Sequence, residues 1–210
     1  MYDLFSHYRA FIAVTPSREA KEYLRDINRE LKNFSRNFKF VAIDQLHITL
    51  QFLGDSVSGQ SISQIDKRLS LITRTQQPFN ITIDRLSFGF PAQNIASLLY
   101  YNLVDDYDLR DFTLNLHNSL KTLGLNDIKR KKDHAKLIHH LSIARTKHDM
   151  SRSFTKEVNE FISTLNIKPI TFEVQGIQIV SSIFKNNKTT YNILGEFPFH
   201  IDHSIPIQVK

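Results

Sequence analysis

There is no cysteine in this chain of 210 residues, and that absence excludes more than any other feature of its composition. Without a thiol there is no disulfide framework, no thiolate nucleophile and no thiolate metal site. A reducing compartment fits, and the expected localisation is cytoplasmic. Long hydrophobic runs are missing too. The apolar run near the start, Phe11 to Val14, is four residues long, too short for a signal peptide. Nothing approaches the roughly 18 apolar residues of a membrane span. A Gly-rich phosphate loop is also absent, which argues against ATP-driven chemistry.

What is present is ordinary in bulk. A hydrophobic content of 41% and a charged content of 23% are those of a soluble globular protein. The length suffices for one large domain, or for two lobes sharing a cleft, with a real core. The charge is not balanced: a net +6 and a pI near 9.5 lean toward an anionic partner, nucleic acid above all.

Hydrophobic periodicity divides the chain into alternating elements. "RAFIAV" (9–14) reads as a strand. A helix follows, with Ala20, Leu24, Ile27 and Leu31 at helical spacing and Ser17 as its cap. "HITLQFL" (47–53) is a strand, 58–75 a helix with Ile62, Ile65, Leu69 and Ile72 on one face, and "FNITIDRLSFGF" (79–90) a strand. The order then repeats. "SLLYYNLV" (97–104) is a strand and 109–124 a helix capped by Gly124. "HHLSIAR" (139–145) is a strand, and 153–166 a helix striped by Phe154, Val158, Phe161 and Leu165. "ITFEVQGIQIVSSIF" and "TTYNILGEF" read as a closing hairpin around "KNNK". The expected organisation is a single bilobal domain over 1–210, with structural halves at about 9–90 and 97–197. Strand–helix alternation makes a parallel α/β sheet the default, whereas the hairpin-like ends argue for mixed or antiparallel sheets.

Within this order one tripeptide pattern recurs. In "LHITLQFLGD" His47 and Thr49 share one face of a strand while Leu46, Ile48 and Leu50 share the other. In "HHLSIART", 93 residues on, His140 and Ser142 pair in the same way. A bare His-x-Ser/Thr is weak evidence, because nine histidines yield about one by chance. His117-Asn118-Ser119 is such a decoy, lying on a helix where i and i+2 do not face each other. The other two have apolar residues at the second and fourth positions and hold matched places in the two halves. A lone histidine on the polar face of a strand is more often inert; two in matched positions reverse those odds.

Two imidazoles suit paired acid–base work, since histidine titrates near neutrality. Hydroxyls donate to non-bridging phosphate oxygens, and an arginine, here Arg145, holds a phosphate in a bidentate grip. The constellation is built for a phosphodiester and needs no metal or other cofactor. His134, His139 and His140 suggest a metal cluster, but only Asp133 joins them and a strand points His139 and His140 apart.

At these residues the chain resembles the 2H phosphoesterases, specifically the LigT-like RNA 2′,3′-cyclic phosphodiesterases, also named 2′-5′ RNA ligases. His47-Ile48-Thr49-Leu50 and His140-Leu141-Ser142-Ile143 match the paired family motif, and "RAFIAVTPS" and "VSSIFKNNKTTYNIL", with Tyr191, look like its opening strand and final hairpin. Ser142 stands for the commoner Thr, and His139 stands where proline is frequent. A one-residue slip would turn His139 to the cleft and Ser142 away from it. The resemblance implies an α+β fold: a duplicated β-α-β-α-β unit with two lobes of mostly antiparallel sheet, and the motifs facing each other across a central cleft. It also implies hydrolysis of a terminal 2′,3′-cyclic phosphate to a 2′-phosphomonoester. His140 is assigned to water and His47 to the leaving 3′-oxygen, or the reverse, with Thr49, Ser142 and Arg145 on the phosphorane oxygens. The same chemistry run toward a 5′-hydroxyl accounts for the ligase name.

The expected partners are therefore RNA ends with a 2′,3′-cyclic phosphate and no membrane, for a monomer. "KRKK" (129–132) either steers the RNA backbone or is a solvated loop. Phe88 and Phe90 either stack on a base or close a strand end. Rival readings are a non-catalytic RNA-binding module, a metal-dependent hydrolase, and a phosphodiesterase of small cyclic nucleotides or cyclic ADP-ribose phosphate.

Overall fold

The computed structural model describes residues 2–90, 96–104, 107–127, 138–185 and 188–200. Strand β1 (His7–Val14) leads into helix α1 (Arg18–Glu30), whose first turn is closed by Ser17 Oγ accepting from the Ala20 N–H at 3.2 Å. Such a cap is worth about 1 kcal/mol. Ala20 and Leu24 are buried from α1, and Leu31 and Phe34 from a 3₁₀ turn that follows. A short strand β2 (Phe38–Phe40) precedes β3 (Ile48–Ser58) and α2 (Gly59–Thr73), which buries Ile62, Ile65 and Leu69 as expected. Then come β4 (Phe79–Phe88), β5 (Leu98–Leu103), α3 (Tyr107–Lys121), β6 (His140–Thr146), α4 (Arg152–Thr164), β7 (Ile170–Val174), β8 (Gly176–Lys185) and β9 (Lys188–Pro198). Gly124 has a φ of +63° just past α3, the left-handed conformation expected of its cap.

One sheet runs through the molecule in the order β7-β4-β5-β6-β3-β1-β8-β9, with β2 also on β6. Its described pairings are all antiparallel, which corrects the parallel default and agrees with the α+β expectation. The reason lies in residues 31–47. After α1 these residues carry the chain back, so that β3 starts with Ile48 opposite Val14 at the far end of β1. A direct crossover would have laid β3 parallel to β1.

The two sequence halves exchange strands. β4 joins β5, β6 and β7, whereas β8 and β9 join β1 and β3. The run 170–184, expected as one strand, breaks at Gln175 into β7 on one edge of the sheet and β8 near the other. A single residue spans at most about 7 Å between its neighbours' Cα atoms, so the sheet curls until these strand ends meet. The break sits at Gly176, where a Cβ would come within 2.6 Å of the Phe197 carbonyl oxygen. The core fills one face, around Ile12, Ile48, Leu50, Leu99 and Leu141, and the helices pack there. A small separate cluster of Phe11, Ala13 and Val180, with Phe52 and Tyr191, lies on the other face. No described helix is long and apolar enough to cross a membrane. The basic loop 129–132, Asp133, His134 and the tail beyond His200 lie outside the described residues.

Candidate active site

The two motif strands are neighbours. Ile48 of β3 pairs with Leu141 of β6, and both are fully buried in the core. Alternation turns His47, Thr49, His140 and Ser142 to the opposite face, where all four are half-buried. Continuing the register one residue either way sets His47 across from Ser142 and Thr49 across from His140. The motifs thus meet side by side at a seam in one sheet, which tightens the expected arrangement across a cleft.

Each imidazole is held in the same way. His47 Nδ1 lies 2.8 Å from the Gln45 carbonyl oxygen, and His140 Nδ1 lies 3.0 Å from that of Ile138. A carbonyl only accepts, so each neutral ring carries its proton on Nδ1 and its lone pair on Nε2. Backbone two residues upstream orients both rings, a feature with no side-chain signature in the sequence. Aromatic pairs complete the clamps. Phe11 stacks on His47 at 4.8 Å and Tyr191 meets it edge-on at 5.0 Å. Phe90 and Tyr100 meet His140 at 4.9 and 5.5 Å and stack on each other at 4.5 Å. Phe11 and Tyr100 were not singled out in the sequence, since core aromatics on strands look alike until pairing is known. Phe88 and Phe90 part company: Phe88 packs on Phe38 in the core, and Phe90 reaches the site.

Burial lowers the pKa of His47, and the nearby charges of His140 and Arg145 act in the same direction, against the opposing hydrogen bond to Gln45. Burial raises that of Tyr100, so it stays a phenol. Arg145 is exposed. Strict alternation would aim it away from His140 and Ser142. The pairing shifts, however, from Tyr100↔Ser142 to Leu99↔Ala144. That extra residue in β6 is a bulge, which buries Ile143 and Ala144 in succession and returns Arg145 to the side of the imidazoles. His139 contacts the Thr113 hydroxyl on α3 through Nε2 at 3.1 Å, so the strand holds the register that presents His140 and Ser142. The decoy His117 is buried on α3.

Among the described residues no group of three or more His, Asp or Glu is arranged to hold a metal. A cavity of 870 Å³ lies elsewhere, between the start of α1 and the β7–β8 corner, and Glu19, Glu173 and Glu196 in its wall make it a poor host for phosphate.

Comparison with known proteins gives relatives by sequence and by fold. The family described as LigT like Phosphoesterase matches residues 14–92, a span holding the first motif. A Thermotoga maritima protein named RNA 2′,3′-cyclic phosphodiesterase is 26% identical over 192 residues, 91% of this chain and 95% of that one. An Aquifex aeolicus protein of the same name is 27% identical over 195 residues, 90% of this chain and 96% of that one. A crystal structure from Thermus thermophilus superposes with a TM-score of 0.73 at 21% identity, covering 93% of this chain and 100% of the other. Escherichia coli LigT complexed with 3′-AMP gives 0.65 at 18% identity, covering 92% and 98%.

Proposed function

We propose that this chain, a LigT-like phosphoesterase, hydrolyses the terminal 2′,3′-cyclic phosphate of RNA to a 2′-phosphomonoester. The observation that carries the proposal is the pair of imidazoles whose Nδ1 atoms are both tied to backbone carbonyls. Their Nε2 atoms, the ones able to move protons, serve one space at the seam. Water attacks phosphorus in line with the 3′-oxygen. His140 Nε2 takes the water proton as the P–O bond forms. The P–O3′ bond breaks, and His47 Nε2–H protonates the departing oxygen, leaving a 3′-hydroxyl and a 2′-phosphate. Solvent returns both rings to their starting states. The hydroxyls of Thr49 and Ser142 and the Arg145 guanidinium face the charge that develops on the non-bridging oxygens. Both proton transfers come from the chain's own residues, so the scheme calls for no metal. A 5′-hydroxyl in place of water gives a 2′-5′ linkage by the same steps.

His47 must start protonated, and burial works against that in the empty site. The phosphodiester's negative charge works the other way, favouring the imidazolium. The alkaline limb of kcat/KM, which reports the free enzyme, is therefore expected at lower pH than that of kcat, which reports the complex. The deciding assay uses a short RNA ending in a 2′,3′-cyclic phosphate, with and without EDTA, and identifies the product. EDTA-resistant conversion to a 2′-phosphate, lost in His47→Ala and in His140→Ala, supports the scheme. A 3′-phosphate product would overturn the choice of leaving oxygen, and tight RNA binding without turnover would overturn catalysis.

A further inference from the structure

Beyond the histidines, an exposed aromatic ring and two cations lie on the same side of the sheet. Lys39 of β2 stands across from Arg145 of β6, so their side chains share a face. Both are exposed. The Lys39 ammonium sits 5.5 Å from the centroid of the Phe184 ring, and Phe184 is 70% exposed. On β8, Phe184 shares its face with Ser182 and Val180. Val180 packs with Phe11, the ring that stacks on His47, and Ser182 pairs with Tyr191. Because β2 belongs to the β6 side of the seam and β8 to the β1 side, the Lys39–Phe184 contact spans the seam from one half-sheet to the other.

Cations along a groove with an aromatic face beside them form the combination that holds single-stranded nucleic acid. Resting on the RNA phosphodiesterase reading above, we infer that Lys39 and Phe184 form a subsite for the nucleotide upstream of the cyclic phosphate. Lys39 holds the phosphate that joins it to the terminal residue, and Phe184 stacks on its base. The terminal cyclic phosphate lies between the imidazoles, and the next phosphate of the strand is the nearest further anion that Lys39 can meet. The consequence is a preference for RNA ends over 2′,3′-cyclic mononucleotides, set by residues outside the proton-transfer machinery.

The test compares kcat/KM on a trinucleotide ending in a 2′,3′-cyclic phosphate with that on a 2′,3′-cyclic mononucleotide, for the native chain, Lys39→Gln and Phe184→Ala. The ratio of the two should fall about 5- to 150-fold in Phe184→Ala, the range found for a stacked base. In Lys39→Gln the ratio should also fall, and the slope of log kcat/KM for the trinucleotide against log salt should shrink by about 0.7, one phosphate contact on a single strand. Equal losses on both substrates, or no change in the ratio, would overturn the subsite. Binding of a short RNA bearing a 2′-phosphate, followed by fluorescence anisotropy, separates this inference from the catalytic one. Should the native chain turn over neither substrate, the proposed hydrolysis fails, and weaker RNA binding by both variants would still establish the subsite. Unchanged binding would remove it.

Discussion

The His47 pocket and the His140 pocket are built alike and situated differently. In each, Nδ1 is tied to the carbonyl two residues upstream, and two aromatic rings flank the imidazole. Around His47 the rings come from β1 and from the β8–β9 hairpin. Around His140 they come from β5 and from the residue just past the end of β4. The shared geometry lets either ring move a proton, and desolvation pulls His47 toward its neutral form.

Removing one ring at a time should break the comparison most severely. His47→Ala and His140→Ala should each lower kcat by about 10²- to 10⁴-fold, and the double variant by much less than the product of the two. The pH profiles should differ even though the losses are similar. His140→Ala removes the limb that rises from low pH, where the base must lose its proton. His47→Ala removes the limb that falls at high pH, where the acid must keep its proton. Profiles with the opposite assignment would exchange the two roles. Ser142→Ala is the next largest, at about 10²- to 10³-fold in kcat for one lost donor to the developing charge. Measured beside Thr49→Ala, it tells whether the two hydroxyls carry equal shares.

Alternation made much of this legible beforehand. His47 with Thr49 and His140 with Ser142 each emerged as same-face pairs, because period-2 patterning needs no knowledge of strand order. The helices followed from their apolar stripes, as with Ile62, Ile65 and Leu69 in α2. What escaped depends on partners. Arg145 was placed near the phosphate by its position just beyond the second motif, yet only the bulge in β6 explains how an odd-numbered residue reaches the face of His140. β2 is three residues long, too short to show a period. The exchange of β4 and β8 between the halves is set by long-range pairing that no local pattern encodes.

Phe11→Leu sharpens the comparison more gently, costing less than about 1.5 kcal/mol of stability as an apolar swap of similar size. Losing the stacked ring admits water to His47, which relieves the desolvation that lowers its pKa. The pKa should therefore rise, and the alkaline limb of kcat/KM should move to higher pH while the acid limb stays in place. Tyr100→Leu, the matching change beside His140, should leave the His47 titration where it is. NMR titration of the imidazole resonances in both variants gives the check, and a shift of the His47 resonance in Tyr100→Leu alone would undo the separation drawn between the pockets.

The smallest effect concerns the joint between the halves. Asp127, at the head of the segment that leads toward β6, accepts from the Ser58 N–H and hydroxyl at 2.9 and 3.0 Å and from the Ser61 hydroxyl at 2.8 Å. Ser58 ends β3 and caps α2, so this carboxylate ties the residues just after α3 to the strand that follows His47. Desolvation raises the Asp127 pKa, but the hydrogen bonds from Ser58 and Ser61 outweigh it and leave the pKa below the usual carboxylate value. A folded-state pKa below the unfolded one means that the stabilisation is present above the unfolded value and disappears as the pH drops through the folded one. Asp127→Ala should therefore cost about 1 kcal/mol at neutral pH, as for a lost helix cap, or roughly 2–4 °C in Tm. The gap from the native chain should close on acidification below about pH 4. A gap that stays constant with pH would mean that packing, and not the charge of Asp127, holds the residues after α3 against the end of β3.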